Sequence, residues 1–372
     1  MLTIELARTL AVAPAAAWQL CAHPDAMNRW STARIASRAL GDGGHPGGVG
    51  ALRTVVLPRR AGRLLEVIER ATPGEALEYR VIAGAPVRSH RGVLTFAAAS
   101  HGCDLRWRVD VEPATRALGP VIRRLLVPEL ERSLDRLVAI APSVTGVLAT
   151  ALPAARAIDR DVDVARLARD AKATAAAQGD LADELLAGGD PRGHFARVYQ
   201  YVTEGQVDLV ERAAFDHPAW VLRLIPVFDR YFTDNLSSRV REPHWARAFA
   251  HVARTAERTR DPFERMVHAV WAGMRAHIEG DLPRTLAHVY RAYYARQCDP
   301  ARFRADYLRM PEVFTRAGER ISADIPRTRW PLRARLVDYL TPSLLRDRII
   351  DRYVYPITKQ RARAFERAAQ LW

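Results

Sequence analysis

The stretch ALEYRVIAGAPVRSHRGVLTFAAASHGCDLRWRVDV, residues 76–111, reads as three consecutive β-strands. Ala76–Ile82, Ser89–Ala98 and Asp104–Val111 are short strand-like runs. Gly84–Pro86 and Ala99–Gly102 interrupt them with turn formers. Upstream, the same reading gives strands at Thr3–Val12, Arg34–Leu40, Ala51–Leu57 and Gly62–Glu69. Ile4, Leu6, Leu10 and Val12 share one parity of the first of these. Two short helices separate it from the next. Pro14 opens Ala15–Cys21, and Asp25 is placed to cap a helix ending near Trp30. Downstream, Val121, Leu125, Leu130, Leu134, Leu137 and Val138 follow helical spacing over Leu118–Ile140. The order predicts one curved antiparallel sheet around a long helix. One helix covers such a sheet incompletely and leaves a cavity suited to an apolar ligand.

From Gly193 the periodicity becomes helical throughout. Helices are expected at His194–Thr203, Val207–Arg212, Pro218–Asn235, His244–Thr259, Pro262–Glu279, Pro283–Arg296, Phe303–Ser322 and, with interruptions, Thr341–Gln370. Asp216, Asp261, Asp281 and Thr341 stand just before prolines as start signals. The fold class is therefore α+β followed by all-α. The expected domains are 1–142, a linker or connecting helix over 143–190, and a helical bundle over 191–372. Asp163–Ala187 reads as helical, either linker or first helix of the bundle.

The 372 residues carry a net charge of +14, and only Lys172 and Lys359 among the 56 basic residues are lysines. The charge is spread, +6 over residues 1–142 and +8 over the rest. A nucleic-acid binder concentrates charge on one element, so no nucleic-acid partner is expected. Cys21, Cys103 and Cys298 are far apart and form neither a disulfide framework nor a zinc signature. There is no run of about 18 apolar residues and no signal-peptide pattern, so a cytoplasmic protein without a transmembrane segment is expected. The basic C-terminal stretch Arg327–Trp372 reads as the end of the bundle or as a peripheral membrane contact. Oligomeric state is left open.

In the first domain the candidate ligand-binding residues are Trp30, Arg53, Tyr79, His90 and Trp107. A pocket of this kind uses Arg or Tyr as a hydrogen-bond donor and His to move protons. Arg106 and Trp107 must point to opposite faces, with Trp107 inward. The opposing reading makes Tyr79 and Trp107 core aromatics and puts Arg53 and His90 on the solvated face. No nucleophile–base pair or carboxylate pair stands out, so no catalytic residue is named.

In the second domain the notable segment is Gly273–Pro283. His277 and Asp281 share a face if the helix is continuous, and His288 follows about three turns on. With His194 and Asp229 from other helices, His277 and Asp281 make a set for a divalent metal. No other cofactor is expected. The opposing reading ends one helix at Gly280, caps the next with Asp281, and leaves His277 a core histidine.

Two resemblances follow from motifs in order. Val12–Trp18 resembles the V-x-A-P-x-x-x-W entry of the START-like, polyketide-cyclase superfamily. Asp25–Trp30, Gly50–Arg53, Glu66–Ile68 and Leu105–Trp107 resemble its later elements. This resemblance covers residues 1–142 and implies a helix-grip fold binding a hydrophobic or aromatic small molecule or a lipid. Cyclisation or dehydration of a polyketide-like metabolite lies within its range. Residues 190–320 resemble an uncharacterised helical bacterial family. The carriers are His194, Phe195, Tyr199 and Thr203, then Phe215, Asp216, Pro218 and Trp220, then Phe228, Tyr231 and Phe232, and later Asp306 and Tyr307. His277, Ile278, Asp281 and Leu282 match its N-A-H-I-x-x-D-L motif, with Arg275 in place of Asn. Three functions are thus in competition: small-molecule binding in the first domain, a metal-dependent enzyme in the second, or a lipid- or partner-binding scaffold.

Overall fold

The computed structural model describes residues 1–58, 62–85, 87–113, 115, 118–143, 158–332, 335 and 357–372. Of residues 311, 312 and 358 it describes the backbone alone. Most of the expected Ser143–Asp163 transition, the start signal at Thr341 and the apolar residues from Leu336 to Tyr355 lie outside these residues. The chain forms two compact units. The first is Met1–Arg156 with Cys298–Ala305, and the second is Ala157–Gln297 with Asp306–Trp372.

The first unit holds strands β1 (Leu2–Leu10), β2 (Arg34–Ala39), β3 (Leu52–Val56), β4 (Arg63–Thr72), β5 (Ala76–Ala83), β6 (Val87–Ala99) and β7 (Gly102–Pro113). They form one sheet in the order β1-β7-β6-β5-β4-β3-β2, with every pairing antiparallel. Helices α1 (Pro14–Ala22) and α2 (Pro24–Trp30) lie between β1 and β2 in sequence, and α3 (Leu118–Ile140) follows β7. This is the helix-grip arrangement. Alternation explains the inward face. Cys103, Leu105, Trp107, Val109 and Val111 of β7 are buried, while Asp104, Arg106 and Arg108 are exposed. Trp107 therefore points in and Arg106 out. The core beneath joins these residues to Trp18, Trp30, Ile68, Tyr79 and Phe96. The second half of α3 is buried in it through Leu130, Ser133, Leu134 and Leu137, while Ile122, Leu126 and Val127 of the first half pack on it only partly buried. Val121 and Leu125, expected on the apolar face of this helix, are 52% and 68% exposed. Asp25 does not cap α2: the cap position is His23, and Asp25 lies in the first turn, where a negative charge faces the positive end of the helix.

The second unit contains α4 (Val164–Ala187), α5 (Gly193–Glu211), α6 (Pro218–Ser237), α7 (Pro243–Arg258), α8 (Pro262–Ala276), α9 (Leu282–Tyr293), α10 (Pro311–Ala323) and α11 (Ile357–Ala369). The stretch left open between linker and bundle is α4, capped by Asp163 and packed on α5 and α6. Helix α5 runs unbroken through Gly205 and merges two expected helices. The single helix expected over Phe303–Ser322 is instead a 3-10 turn at Pro300–Phe303, a short helix to Tyr307, and α10. Pro311 sets the restart, since its ring suits only the first turn of a helix. Asp261 caps α8 by accepting from the backbone N–H of Phe263 and Glu264. At α6 the cap position is His217, which makes no side-chain cap bond, and Asp216 does not fill that role; Asp306 holds the chain just ahead of the helix. Asp306 accepts from the N–H of Asp216 at 3.0 Å and of His217 at 2.7 Å.

Between α8 and α9 the chain neither stops nor stays α-helical. His277–Asp281 is a π-turn, and the Leu282 N–H donates to the His277 carbonyl. Pro283 accounts for it. Its ring offers no N–H to the Glu279 carbonyl four residues back and would collide with that carbonyl in a regular helix. Widening the turn removes the collision. The freed Glu279 oxygen accepts from Arg367 at 2.8 Å. The expected break at Gly280 is thus a continuous helix, and the Asp281 side chain does not cap it.

Candidate functional site

In the first unit Arg53 on β3 stands opposite Glu66 on β4. Both are buried, and Arg53 Nη2 donates to Glu66 Oε2 at 3.4 Å. Arg53 also donates toward Met27 Sδ at 3.2 Å, and its guanidinium lies 5.9 Å from the centre of the Tyr79 ring. Tyr79 lies flat across β6 because its register partner is Gly92: a Cβ there would be 2.2 Å from the ring. Trp107 Nε1 donates to Tyr79 Oη at 3.3 Å. Trp30 meets Trp107 edge to face at 6.4 Å, and His90 lies 6.0 Å from the Tyr79 ring. The five expected residues are therefore neighbours in one chain of contacts, with Arg53 buried rather than solvated.

Burial works against the charged forms of Glu66, Tyr79 and His90. Burial pushes the Glu66 carboxyl up, and Arg53 pulls against it. Burial raises the Tyr79 phenol far above its usual value. Burial lowers the His90 imidazole to about 4, so it is neutral at pH 7. His90 Nδ1 is buried with no hydrogen-bond partner among the described residues. Chemically the cluster offers a phenol, an imidazole and an ion pair among tryptophans. Glu66 was visible in the sequence only as part of a strand motif. Its cross-strand position opposite Arg53 is what makes it part of the site.

In the second unit the π-turn carries the other cluster. Asp281 is fully buried and both of its carboxylate oxygens are hydrogen-bonded. His277 Nδ1 lies 2.9 Å from Oδ2, Trp245 Nε1 donates to Oδ2 at 3.0 Å, and His244 Nε2 lies 2.8 Å from Oδ1. Burial by itself raises the Asp281 pKa, but the hydrogen bonds from His244 and His277 carry it below the usual carboxylate range. Burial lowers the His277 imidazole against the opposing pull of Asp281. Phe228 stacks on His277 with ring centres 3.4 Å apart, and Phe195, Tyr199 and Trp245 surround it at 5.7, 5.0 and 5.6 Å. Two glycines admit these neighbours. A Cβ on Gly273 would be 2.3 Å from the Phe195 ring, and one on Gly280 would be 2.5 Å from the His244 ring.

Of the four residues expected to bind metal, His277 and Asp281 are bonded to each other. Asp229 accepts from Gln178 at 2.8 Å; burial raises its pKa, opposed by that bond and by His277. His194 is not brought to them; burial lowers its imidazole against the opposing pull of Asp324. His288 is exposed on α9. Glu242, His244 and Asp281 do bring one ligand atom each within 4.8 Å of one another. Arg284 already supplies a cation there, paired with Glu242 and 4.0 Å from Asp281 Oδ1. The arrangement is a hydrogen-bonded His–Asp–His cluster. His244 and Trp245 have no local sequence signal: they sit 37 and 36 residues from Asp281 and meet it only through helix packing. Arg275, which replaces the motif's Asn, is exposed and pairs with Glu279 at 3.4 Å, facing away from the cluster.

Residues 1–141 match the family model described as polyketide cyclase / dehydrase and lipid transport. Residues 172–372 match that of a family of unknown function, DUF5995. Several solved structures are similar to the first part. A START superfamily protein from Mycobacterium smegmatis is 13% identical over 38% of this chain and 99% of its own, with a TM-score of 0.34. A protein from Chromobacterium violaceum is 21% identical over 37% and 96%, with a TM-score of 0.31. Norcoclaurine synthase from Thalictrum flavum, solved with dopamine and hydroxybenzaldehyde, is 10% identical over 39% and 88%, with a TM-score of 0.32. No curated protein matches the chain. No helix among the described residues is long and apolar enough to cross a membrane.

Proposed function

We propose, for a chain that belongs to the DUF5995 family of unknown function and carries a helix-grip unit ahead of that region, that the helix-grip unit binds an apolar or aromatic small molecule. The observation that carries this reading is the chain of contacts Trp30, Trp107, Tyr79 and His90, with the Arg53–Glu66 pair beside it. Side chains from five strands and a helix meet at the same place, and most of the surface around them is hydrocarbon. A binding site for such a ligand has this composition: apolar walls and a few polar groups that set orientation. The partly sealed helix α3, with Val121 and Leu125 exposed, supplies an apolar rim. The first family's description, polyketide cyclase / dehydrase and lipid transport, agrees with a ligand of this class.

The chemistry that this cluster favours is help with cyclisation or dehydration of a polyketide-like metabolite. Holding a flexible chain folded contributes by proximity. Tyr79 donates to a developing enolate oxygen, and the neutral His90 accepts a proton.

The test is thermal denaturation of the full chain with a panel of flavonoids, fatty acids and aromatic polyketide analogues. At saturating ligand the melting temperature of the first unit rises, and the rise shrinks in Tyr79→Phe and His90→Phe. A panel with no shift in the intact protein removes the support for the reading.

A further inference from the structure

We propose that the second unit has its own binding site, in which His277 Nε2 and Tyr199 Oη grip the hydroxyl group of a small molecule. This inference is independent of the reading for the first unit. It begins with Asp281. An ionised carboxylate only accepts hydrogen bonds, so the nitrogen of His277 facing it must carry the proton. That nitrogen is Nδ1, at 2.9 Å from Oδ2. The neutral ring then has its lone pair on Nε2. His244 and Trp245, both on α7, hold the carboxylate from other sides, so the tautomer is set between α7 and the π-turn.

The lone pair has nothing to accept. His277 Nε2 is buried and has no hydrogen-bond partner among the described residues. The same holds for Tyr199 Oη, whose ring stands edge-on to His277 with centres 5.0 Å apart. Both residues are more than nine-tenths buried. Gln178 spends its amide N–H on Asp229, whose charge acts on both residues, and leaves its buried carbonyl oxygen with no hydrogen-bond partner among the described residues. Thr203 Oγ1 is one helical turn from Tyr199 on the same face of α5, buried and unpaired in the same way.

A histidine that served only as core filling would be bonded on both nitrogens or set among groups needing nothing. Here the unpaired atoms are complementary. A hydroxyl donates to Nε2 and accepts from the Tyr199 phenol; a second hydroxyl meets the Gln178 carbonyl. Phe228 covers one face of the imidazole and the Nε2 lone pair lies in the ring plane, so the hydroxyl meets it in that plane. The class is a small neutral alcohol, phenol or polyol with an aromatic-compatible carbon skeleton.

The test uses the full chain with 15N-labelled histidine. Free protein should show a neutral imidazole whose Nε2 signal, assigned by its loss in His277→Gln, is unprotonated. Phenol, methanol and glycerol are then titrated separately. A saturable shift of that signal with at least one of them is expected, and Tyr199→Phe, which removes a single oxygen, should weaken it tenfold or more without lowering the melting temperature. Three results overturn the proposal: a proton on Nε2, no saturable shift with any of the three probes, or equal binding in Tyr199→Phe. So does stoichiometric zinc or manganese in purified protein that is lost in His277→Gln, because the lone pair would then be a metal ligand.

Discussion

Arg53 and Glu66 lie side by side in the first unit, nearly free of solvent. A buried pair is a poor source of stability, yet removing one partner strands the other charge. Arg53→Ala should therefore destabilise the first unit by about 3–5 kcal/mol. The double variant Arg53→Met with Glu66→Leu should recover most of that loss, because both charges leave together. Urea denaturation of the three proteins, followed by tryptophan fluorescence, measures the difference. Equal loss in the single and double variants would mean that shape, not charge, is what the pair provides. His90 adds a pH signature. Its folded pKa, about 4, is below the model-peptide value of 6.5. Between these values the unfolded chain takes up a proton that the folded one refuses, so stability falls as pH drops from 6.5 to about 4 and levels off below. The full effect is at most about 3 kcal/mol, at 1.36 kcal/mol per unit. In His90→Phe this part of the pH dependence should vanish from denaturation midpoints taken at pH 7 and pH 4.5.

At the scale of elements, what could be read from residue order was whatever depends on neighbours in sequence. Short strand-like runs bounded by turn formers located all seven strands, and apolar spacing placed Leu118–Ile140 with both ends as found. Parity set Trp107 and Arg106 on opposite faces, and the apolar ring was the one read as inward. The π-turn was not legible, since Gly280 and Pro283 signal a helix break and a helix widening equally well. The choice is made by packing: Arg367 takes the freed Glu279 carbonyl, and His244 fills the space beside Gly280. His244 and Trp245 were invisible for the same reason. Two glycines make this testable. In a helix, Gly→Ala ordinarily stabilises by about 0.5–1 kcal/mol. Gly318 in α10 has open space where a Cβ would go, so Gly318→Ala should show that gain. At Gly280 the same change drives a methyl into the His244 ring and breaks its bond to Asp281. Gly280→Ala should instead cost about 1–3 kcal/mol. Thermal melts of both variants settle it: a stabilised Gly280→Ala protein would mean that the His244 contact is slack.

For the molecule as a whole, the compact units do not follow a single cut in the chain. The eight residues Cys298–Ala305 lie within the stretch matched by the helical family yet belong to the first unit. Their contacts there are specific. Arg304 Nη1 donates to the carbonyls of Leu40 at 2.8 Å and Gly50 at 2.6 Å, and Arg80 donates to the Ala305 carbonyl at 3.4 Å. Gly50 has a φ of +79°, and a Cβ on it would be 1.8 Å from the Ala301 oxygen, so this spot on the sheet is shaped to receive the segment. A fragment ending at residue 142 therefore lacks part of its own fold. Two carbonyls lose a charged donor and one guanidinium loses an acceptor, each worth about 1 kcal/mol net. The 1–142 fragment should be about 2–4 kcal/mol less stable than the same unit in the full chain. Guanidinium denaturation of both proteins measures this, with Arg304→Ala in the full chain as the bridge between them. A synthetic peptide spanning 296–307 should restore part of the loss to the fragment. If the fragment matches the full chain without it, the segment rests on the sheet without supporting it, and ligand screens can then use the fragment in place of the intact protein.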